Sequence, residues 1–196
     1  MAESETLHQV IARNVRAYRH ARGLTLEALA EVAGISRRML IMIEGGTTNP
    51  SVATLDRLGQ ALGVGLSSLV GLPAPTGEAQ VIAPDAMPAI WRGTHPESAA
   101  RLAVSLGSGG DVEVWDWHLA PGETFTAGVD PPGTQKLLFI LDGVLTVRLT
   151  DSPLRVPAGH GVRLPGDRPH GYENRDEQPL HFVGTVILGT FIRDHP

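Results

Sequence analysis

Three groups of residues in this 196-residue chain have the types and spacing to do chemistry. The first is Ser36-Arg37-Arg38, which follows the turn-like Ala33-Gly34-Ile35 and is followed by Thr47, Thr48 and Asn49. Guanidinium groups bind phosphates and the edges of guanine through paired hydrogen bonds, and small hydroxyl and amide side chains suit phosphate oxygens. The second group is Lys136, Gln135, His170 and Tyr172, with Trp115 and Trp117 as candidate walls. One cation, a histidine, a phenol and apolar surface would suit a small carboxylate or an amino-acid-like metabolite. Trp115 and Trp117 fit core packing as well as ligand contact, and His170 fits a structural role as well as a binding one. The third is Asp130 with His170, a poor set for a divalent ion because Lys136 adds a positive charge and no lone pair. His95, His118, His160, His181 and His195 are scattered along the chain and read as surface or structural residues. No Gly-x-Ser-x-Gly elbow and no Gly-x-x-x-x-Gly-Lys phosphate loop occurs, so no catalytic residue is expected.

These groups need elements to position them. Apolar residues Leu7, Ile11, Val15 and Tyr18 recur at helical spacing. A helix with Thr25 as N-cap and Leu26, Leu29 and Ala30 as its stripe should follow, then one capped by Ser36 with Met39, Leu40 and Ile43 buried. Gly45-Gly46 should stop that helix, and Pro50-Ser51 should open another carrying Val52, Leu55, Leu58 and Leu62 as far as Gly63. A helix, a glycine turn and a second helix make a helix-turn-helix, in which the first residues of the second helix meet base edges in the major groove. The turn glycine is expected because a side chain there would obstruct the approach of the two helices.

The Pro- and Gly-rich stretch from Gly71 to Gly77 reads as a linker. Beyond it the period changes to two: Val112, Val114 and Asp116 alternate with Glu113, Trp115 and Trp117. Leu137–Leu141, Asp142-Gly143 and Val144–Leu149 read as strand, tight turn, strand, with Lys136, Leu138 and Ile140 on one face. Further strands are expected at Gly161–Leu164, Gly171–Glu173 and Leu180–Phe191. The boundaries are residues 1–70 for the helical domain, 71–87 for the linker and 88–196 for a small all-β sandwich or barrel.

Charge divides along the same line. Seven arginines stand against six acidic residues up to Leu72, and nine basic against fifteen acidic residues after it, within a net charge of −5. A near-neutral, arginine-bearing half and an acidic half suit a binding half and a sensing half. There is no cysteine, which excludes a disulfide scaffold, a thiolate metal site and a cysteine nucleophile. No apolar run approaches the length that spans a bilayer, and a cytoplasmic protein without a membrane partner is expected.

Residues 24–36 (LTLEALAEVAGIS) and 43–64 (IEGGTTNPSVATLDRLGQALGV) resemble the XRE family of phage-repressor-like helix-turn-helix regulators. That resemblance implies a five-helix domain bound as a homodimer to double-stranded operator DNA. It also implies an Arg19–Glu44 pair and base-facing roles for Arg37, Arg38 and Met42. Leu26, Ile41, Met42 and Gly45 depart from the polar residues common in the family. Residues 121–122, 133–143 (GTQKLLFILDG) and 157–174 (PAGHGVRLPGDRPHGYEN) resemble a cupin, a double-stranded β-helix barrel. Metal-binding cupins use histidines and a glutamate from the first motif and one histidine from the second. Only His170 of that set remains, because Asp130 and Lys136 stand near the places of a histidine and the glutamate. The fusion implies a regulator whose barrel binds a small-molecule effector and no metal cofactor. A metal-dependent cupin enzyme with a helical appendage is the alternative.

Overall fold

The structure, a computed structural model, describes residues 6–71, 79–106 and 112–189. Its contacts divide the chain into two compact units, one holding the helices and the other the strands.

The helical unit contains α1 (Leu7–Ala21), α2 (Leu26–Val32), α3 (Arg37–Glu44), α4 (Val52–Leu62) and α5 (Leu66–Val70). Three hydroxyls set the starts. Thr25 accepts from the Ala28 amide at 3.1 Å, Ser36 from Met39 at 3.1 Å and Ser51 from Thr54 at 3.2 Å, each cap contributing about 1 kcal/mol. Ile11, Val15, Leu29, Leu40, Ile43, Leu55, Leu58, Leu62 and Leu69 are fully buried. Asn14 ties α1 to α5 by donating to the carbonyls of Ser68 and Leu69 at 3.1 Å.

Two expectations about this unit change. Met39 is exposed, because burial on α3 runs through Leu40, Ile43 and Glu44 and Met39 falls on the flank of that stripe. Gly34 is needed for its φ of +61°, a backbone conformation costly to residues with a Cβ. A Cβ there would meet nothing within 4 Å, so helix approach is not the reason.

The second unit has β1 (Ala89–Arg92), β2 (Ala99–Leu106), β3 (Val112–Leu119), β4 (Thr124–Thr126), β5 (Gln135–Asp142), β6 (Val144–Arg148), β7 (Leu154–Pro157), β8 (Gly161–Pro165), β9 (Gly171–Glu173) and β10 (Leu180–Ile187). One sheet runs β1-β2-β3-β10-β5-β8 and the other β4-β9-β6-β7, every pairing antiparallel. Their inner faces share a core of Leu102, Trp117, Ile140, Leu145, Val147, Tyr172 and Phe182. Trp117 is its centre: its ring stacks on Phe182 at 5.6 Å and meets Phe125 at 4.7 Å and Tyr172 at 5.3 Å.

The turn at Asp142-Gly143 joins β5 and β6, but those strands lie in different sheets and do not pair. Gly143 makes a corner, with φ +77° and its Cα so close to Pro179 and Leu180 that a Cβ would lie 2.6 Å from the Pro179 carbonyl oxygen. Most of the expected linker, and the end of the strand expected to reach Phe191, lie outside the described residues.

Candidate functional site

The outer face of α3 begins with Ser36, Arg37 and Arg38, all exposed, and continues to Ile41, also exposed, and Met42, half-buried. The opposite face is fixed to the scaffold by a buried ion pair. Arg19 Nε and Nη2 donate to the two oxygens of Glu44 at 2.6 and 2.9 Å, and Arg19 Nη1 donates to the Leu24 carbonyl at 3.0 Å. Arg16 adds a contact to the Glu44 carbonyl at 3.3 Å. The hydrogen bond to Glu44 holds the Arg19 guanidinium above its ordinary range, against the opposing effect of burial. The end of α3 is therefore held rigidly while its start is offered outward.

The capping oxygens of Thr25 and Ser36 accept from their own helices; the Thr25 hydroxyl donates to Glu27, and that of Ser36 is left to donate elsewhere. Thr47 differs from Ser36: its hydroxyl donates to the Met42 carbonyl at 3.2 Å, so its proton is already used on the end of α3. Thr48 is half-buried and Asn49 exposed. One residue absent from the sequence reading stands out. Glu27, near the start of α2, accepts from Arg37 Nε with both side chains exposed. Its own backbone N–H and then Arg37 hold the Glu27 carboxyl below the usual range. The signal available in the sequence was an opposite charge in the first turn of the preceding helix.

In the barrel the parity of β5 puts Lys136, Leu138 and Ile140 inside. Gln135 is a correction: with strict alternation it shares the outward parity of Leu137 and Phe139, both exposed. Lys136 Nζ lies 2.8 Å from Asp130 Oδ2, both side chains close to fully buried. A Cβ on Gly166 would fall 2.6 Å from that oxygen, so the bare backbone there makes room for the pair. His170 is buried beside it. Its Nδ1 lies 2.8 Å from the Arg168 carbonyl, which can only accept, so Nδ1 carries the proton. Nε2 then bears a lone pair and has no hydrogen-bond partner. Burial first, and then the Lys136 charge, hold His170 below the ordinary imidazole range, outweighing the Arg168 carbonyl and Asp130.

Tyr172 is fully buried, 5.7 Å from the His170 ring, and burial pushes its hydroxyl above the ordinary range. Trp115 points inward and donates its indole N–H to Glu113 at 3.0 Å. Glu113 is a buried acid that sequence reasoning left out, although it shares the inward parity of Trp115 and Trp117. A divalent ion fits this interior badly. An ammonium occupies the ion-binding side of Asp130, and among the described residues Asp130 and His170 gather no third ligand.

The helical unit and the barrel each have known counterparts. Residues 15–69 match the Helix-turn-helix family and residues 115–187 the Cupin domain family. The HTH-type transcriptional regulator SutR of Escherichia coli strain K12 is 27% identical over 185 residues, spanning 93% of this chain and 97% of that protein. An uncharacterised HTH-type transcriptional regulator of Sinorhizobium fredii, y4dJ, is 39% identical over 72 residues, which cover 37% of this chain and 90% of that one. The chain belongs to the XRE-type helix-turn-helix transcriptional regulators that carry a cupin domain. The fold of this XRE-type regulator is shared with the crystal structure of an HTH_3 family transcriptional regulator from Vibrio cholerae, with a TM-score of 0.69, 22% identity and coverage of 92% of this chain and 96% of that one. Five helices followed by a cupin barrel agree with the two-domain fold expected from the sequence. Among the described residues no helix is long and apolar enough to cross a membrane.

Proposed function

We propose that this regulator binds its operator as a homodimer through the start of α3, and that a small carboxylate or amino-acid-like effector in the barrel modulates that binding. The observation that carries the effector reading is the His170 Nε2 lone pair, buried without a partner beside the Lys136–Asp130 ion pair. Native interiors satisfy nearly all their polar atoms, so an orphan beside a paired charge is a place where a ligand completes the set. A ligand carboxylate would take Lys136, and a ligand ammonium or hydroxyl would donate to His170 Nε2 and Asp130. Tyr172 and Trp115 would wall the site. The ammonium at Asp130 favours an organic ligand over a metal ion, and weighs against a metal-dependent enzyme.

Arg37 and Arg38 would read base edges, with Ser36, Thr48 and Asn49 donating to phosphates, Thr25 doing so once its hydroxyl turns from Glu27, and Met42 packing on an apolar base edge. Thr47 would then act by holding the loop after α3. The second copy would be met by the outer face of β5, where Leu137, Phe139 and Leu141 are exposed in alternate positions. Such contiguous apolar surface marks an association site. Half-sites lie about 34 Å apart, so an effector that altered the spacing of two recognition helices would change affinity by population shift.

The test is a gel shift with salt titration on DNA flanking the gene. Arg37→Ala with Arg38→Ala should weaken binding by roughly thirtyfold or more, from about 1–3 kcal/mol for each of the two lost bidentate base contacts, and flatten the salt slope. Both side chains are exposed, so folding should be intact. Unchanged affinity in the double variant would remove α3 as the reading element. Light scattering on Phe139→Glu should report a monomer; a persisting dimer would place the interface elsewhere.

A further inference from the structure

The opposite face of β3 from the barrel interior carries a cluster that the regulator reading does not use. Asp116 and His118 are two residues apart, so both side chains leave the strand on the outer face. β10 brings His181 directly opposite His118 in the antiparallel register. The two imidazole rings stack with centroids 4.1 Å apart and planes 16° from parallel. One carboxylate serves both: His118 Nε2 lies 3.1 Å from Asp116 Oδ2, and His181 Nε2 lies 2.8 Å from Asp116 Oδ1. All three donor atoms fall within 4.8 Å of one another.

We propose that Asp116, His118 and His181 form a surface site for a borderline divalent transition-metal ion such as zinc or nickel. Two imidazole nitrogens and one carboxylate oxygen on rigid neighbouring strands are the donor set these ions prefer, whereas magnesium and calcium prefer oxygen alone. Without metal, each Nε2–H donates to Asp116. With metal, each ring carries its proton on Nδ1, both Nε2 lone pairs turn to the ion, and Asp116 contributes one oxygen. No net proton is released from a neutral ring. Asp142 Oδ2, exposed and 3.9 Å from His181 Nδ1, would have to swing closer to receive that relocated proton in a hydrogen bond, as outer-sphere carboxylates commonly do for ligating histidines.

The remaining coordination positions open onto a groove of about 750 Å³ whose lining includes Glu97, His118, Asp142, Gln178 and His181, so water or a small ligand completes the shell. Arg101 Nη1, 3.9 Å from Asp116 Oδ2, opposes the ion's charge and holds affinity to a moderate level. Because β3 and β10 are the central strands of the six-stranded sheet, an ion bridging them binds the folded barrel and stabilises it by mass action.

The experiment is calorimetric titration of the full untagged chain with zinc chloride and, separately, nickel chloride, with thermal unfolding followed by tryptophan fluorescence. One ion per chain and a higher unfolding temperature are expected. His118→Ala and His181→Ala should each lower affinity at least tenfold, with Asp116→Asn showing a smaller loss. Should His118→Ala disturb the tryptophan signal, His118→Asn provides the milder replacement. His170→Leu should bind as the parent does. Absence of binding, or binding unchanged in the His118 and His181 variants, overturns the site; loss in His170→Leu alone moves the ion to the barrel interior and overturns it equally.

Discussion

Each unit of the molecule buries an ion pair, and the two are finished differently. Arg19 meets Glu44 through two aligned hydrogen bonds, and a third guanidinium N–H reaches the Leu24 carbonyl. Lys136 meets Asp130 at 2.8 Å as an ion pair without hydrogen-bond alignment at Asp130 Oδ2, and His170 Nε2 beside it is unpartnered. A polar network with every position filled has nothing left to offer a ligand and rigidifies what it joins; one with a position open carries a desolvation cost until something fills it. The first arrangement is what a recognition helix needs behind it. The second is what a binding cavity needs inside it.

Glu123 provides a third buried charge, filled entirely from within. Burial pushes its carboxyl up, but hydrogen bonds from the backbone N–H of His95, the hydroxyl and amide of Thr94 and the hydroxyl of Ser98 pull it down to about 2. The His95 amide sits at 3.0 Å and the Thr94 hydroxyl at 2.9 Å. It is the barrel's counterpart to Glu44.

The contrast can be broken by mutation, and the spectroscopy separates the units because Trp91, Trp115 and Trp117, the chain's three tryptophans, all lie in the barrel. The largest expected effect is Glu44→Ala. It leaves Arg19 buried and unpaired and should destabilise the helical unit by about 3–5 kcal/mol, seen as an earlier urea transition in circular dichroism with the tryptophan transition unmoved. Glu123→Gln comes next, and its effect depends on pH. A carboxyl held below its unfolded value adds stability that is complete above about pH 4.5 and lost as pH falls toward 2. The parent barrel should therefore weaken across that window by tryptophan fluorescence, and the Gln variant should be weaker at neutral pH and flatter below it. A variant as acid-sensitive as the parent would mean that another group carries the effect. The smallest stability change belongs to His170→Leu, within about 1 kcal/mol of the parent, since it removes an unsatisfied nitrogen along with the bond to Arg168. Its effect should fall on the thermal shift given by carboxylate and amino-acid effectors, which should vanish. A large loss of stability with the shift retained would make His170 structural.

What the sequence made legible was mostly local. Thr25, Ser36 and Ser51 announce helix starts because a cap acts over three residues, and the alternation of Lys136, Leu138 and Ile140 fixes one strand's inner face whatever it pairs with. Arg19–Glu44 came from the family likeness. The rest depended on pairing at long range. Asp142-Gly143 has the composition of a hairpin, yet the chain turns there from one sheet into the other, because β5 is taken by β8 and β10. His118 and His181 looked scattered because only the register of β3 against β10 makes them neighbours across the strands. Gln135 stands next to Lys136 in the chain, and period two sends neighbours to opposite faces of the strand. Glu27 and Arg37, ten residues apart, meet only through the packing of two helices.

Lys136 is the sole lysine in the chain, and its burial against Asp130 makes it a chemical gauge of the barrel. The ε-amine that an acylating reagent would seek is sheltered against a carboxylate, so its labelling rate follows how often the interior opens to solvent. Trypsin, restricted elsewhere to arginine, has the same single lysyl bond to find.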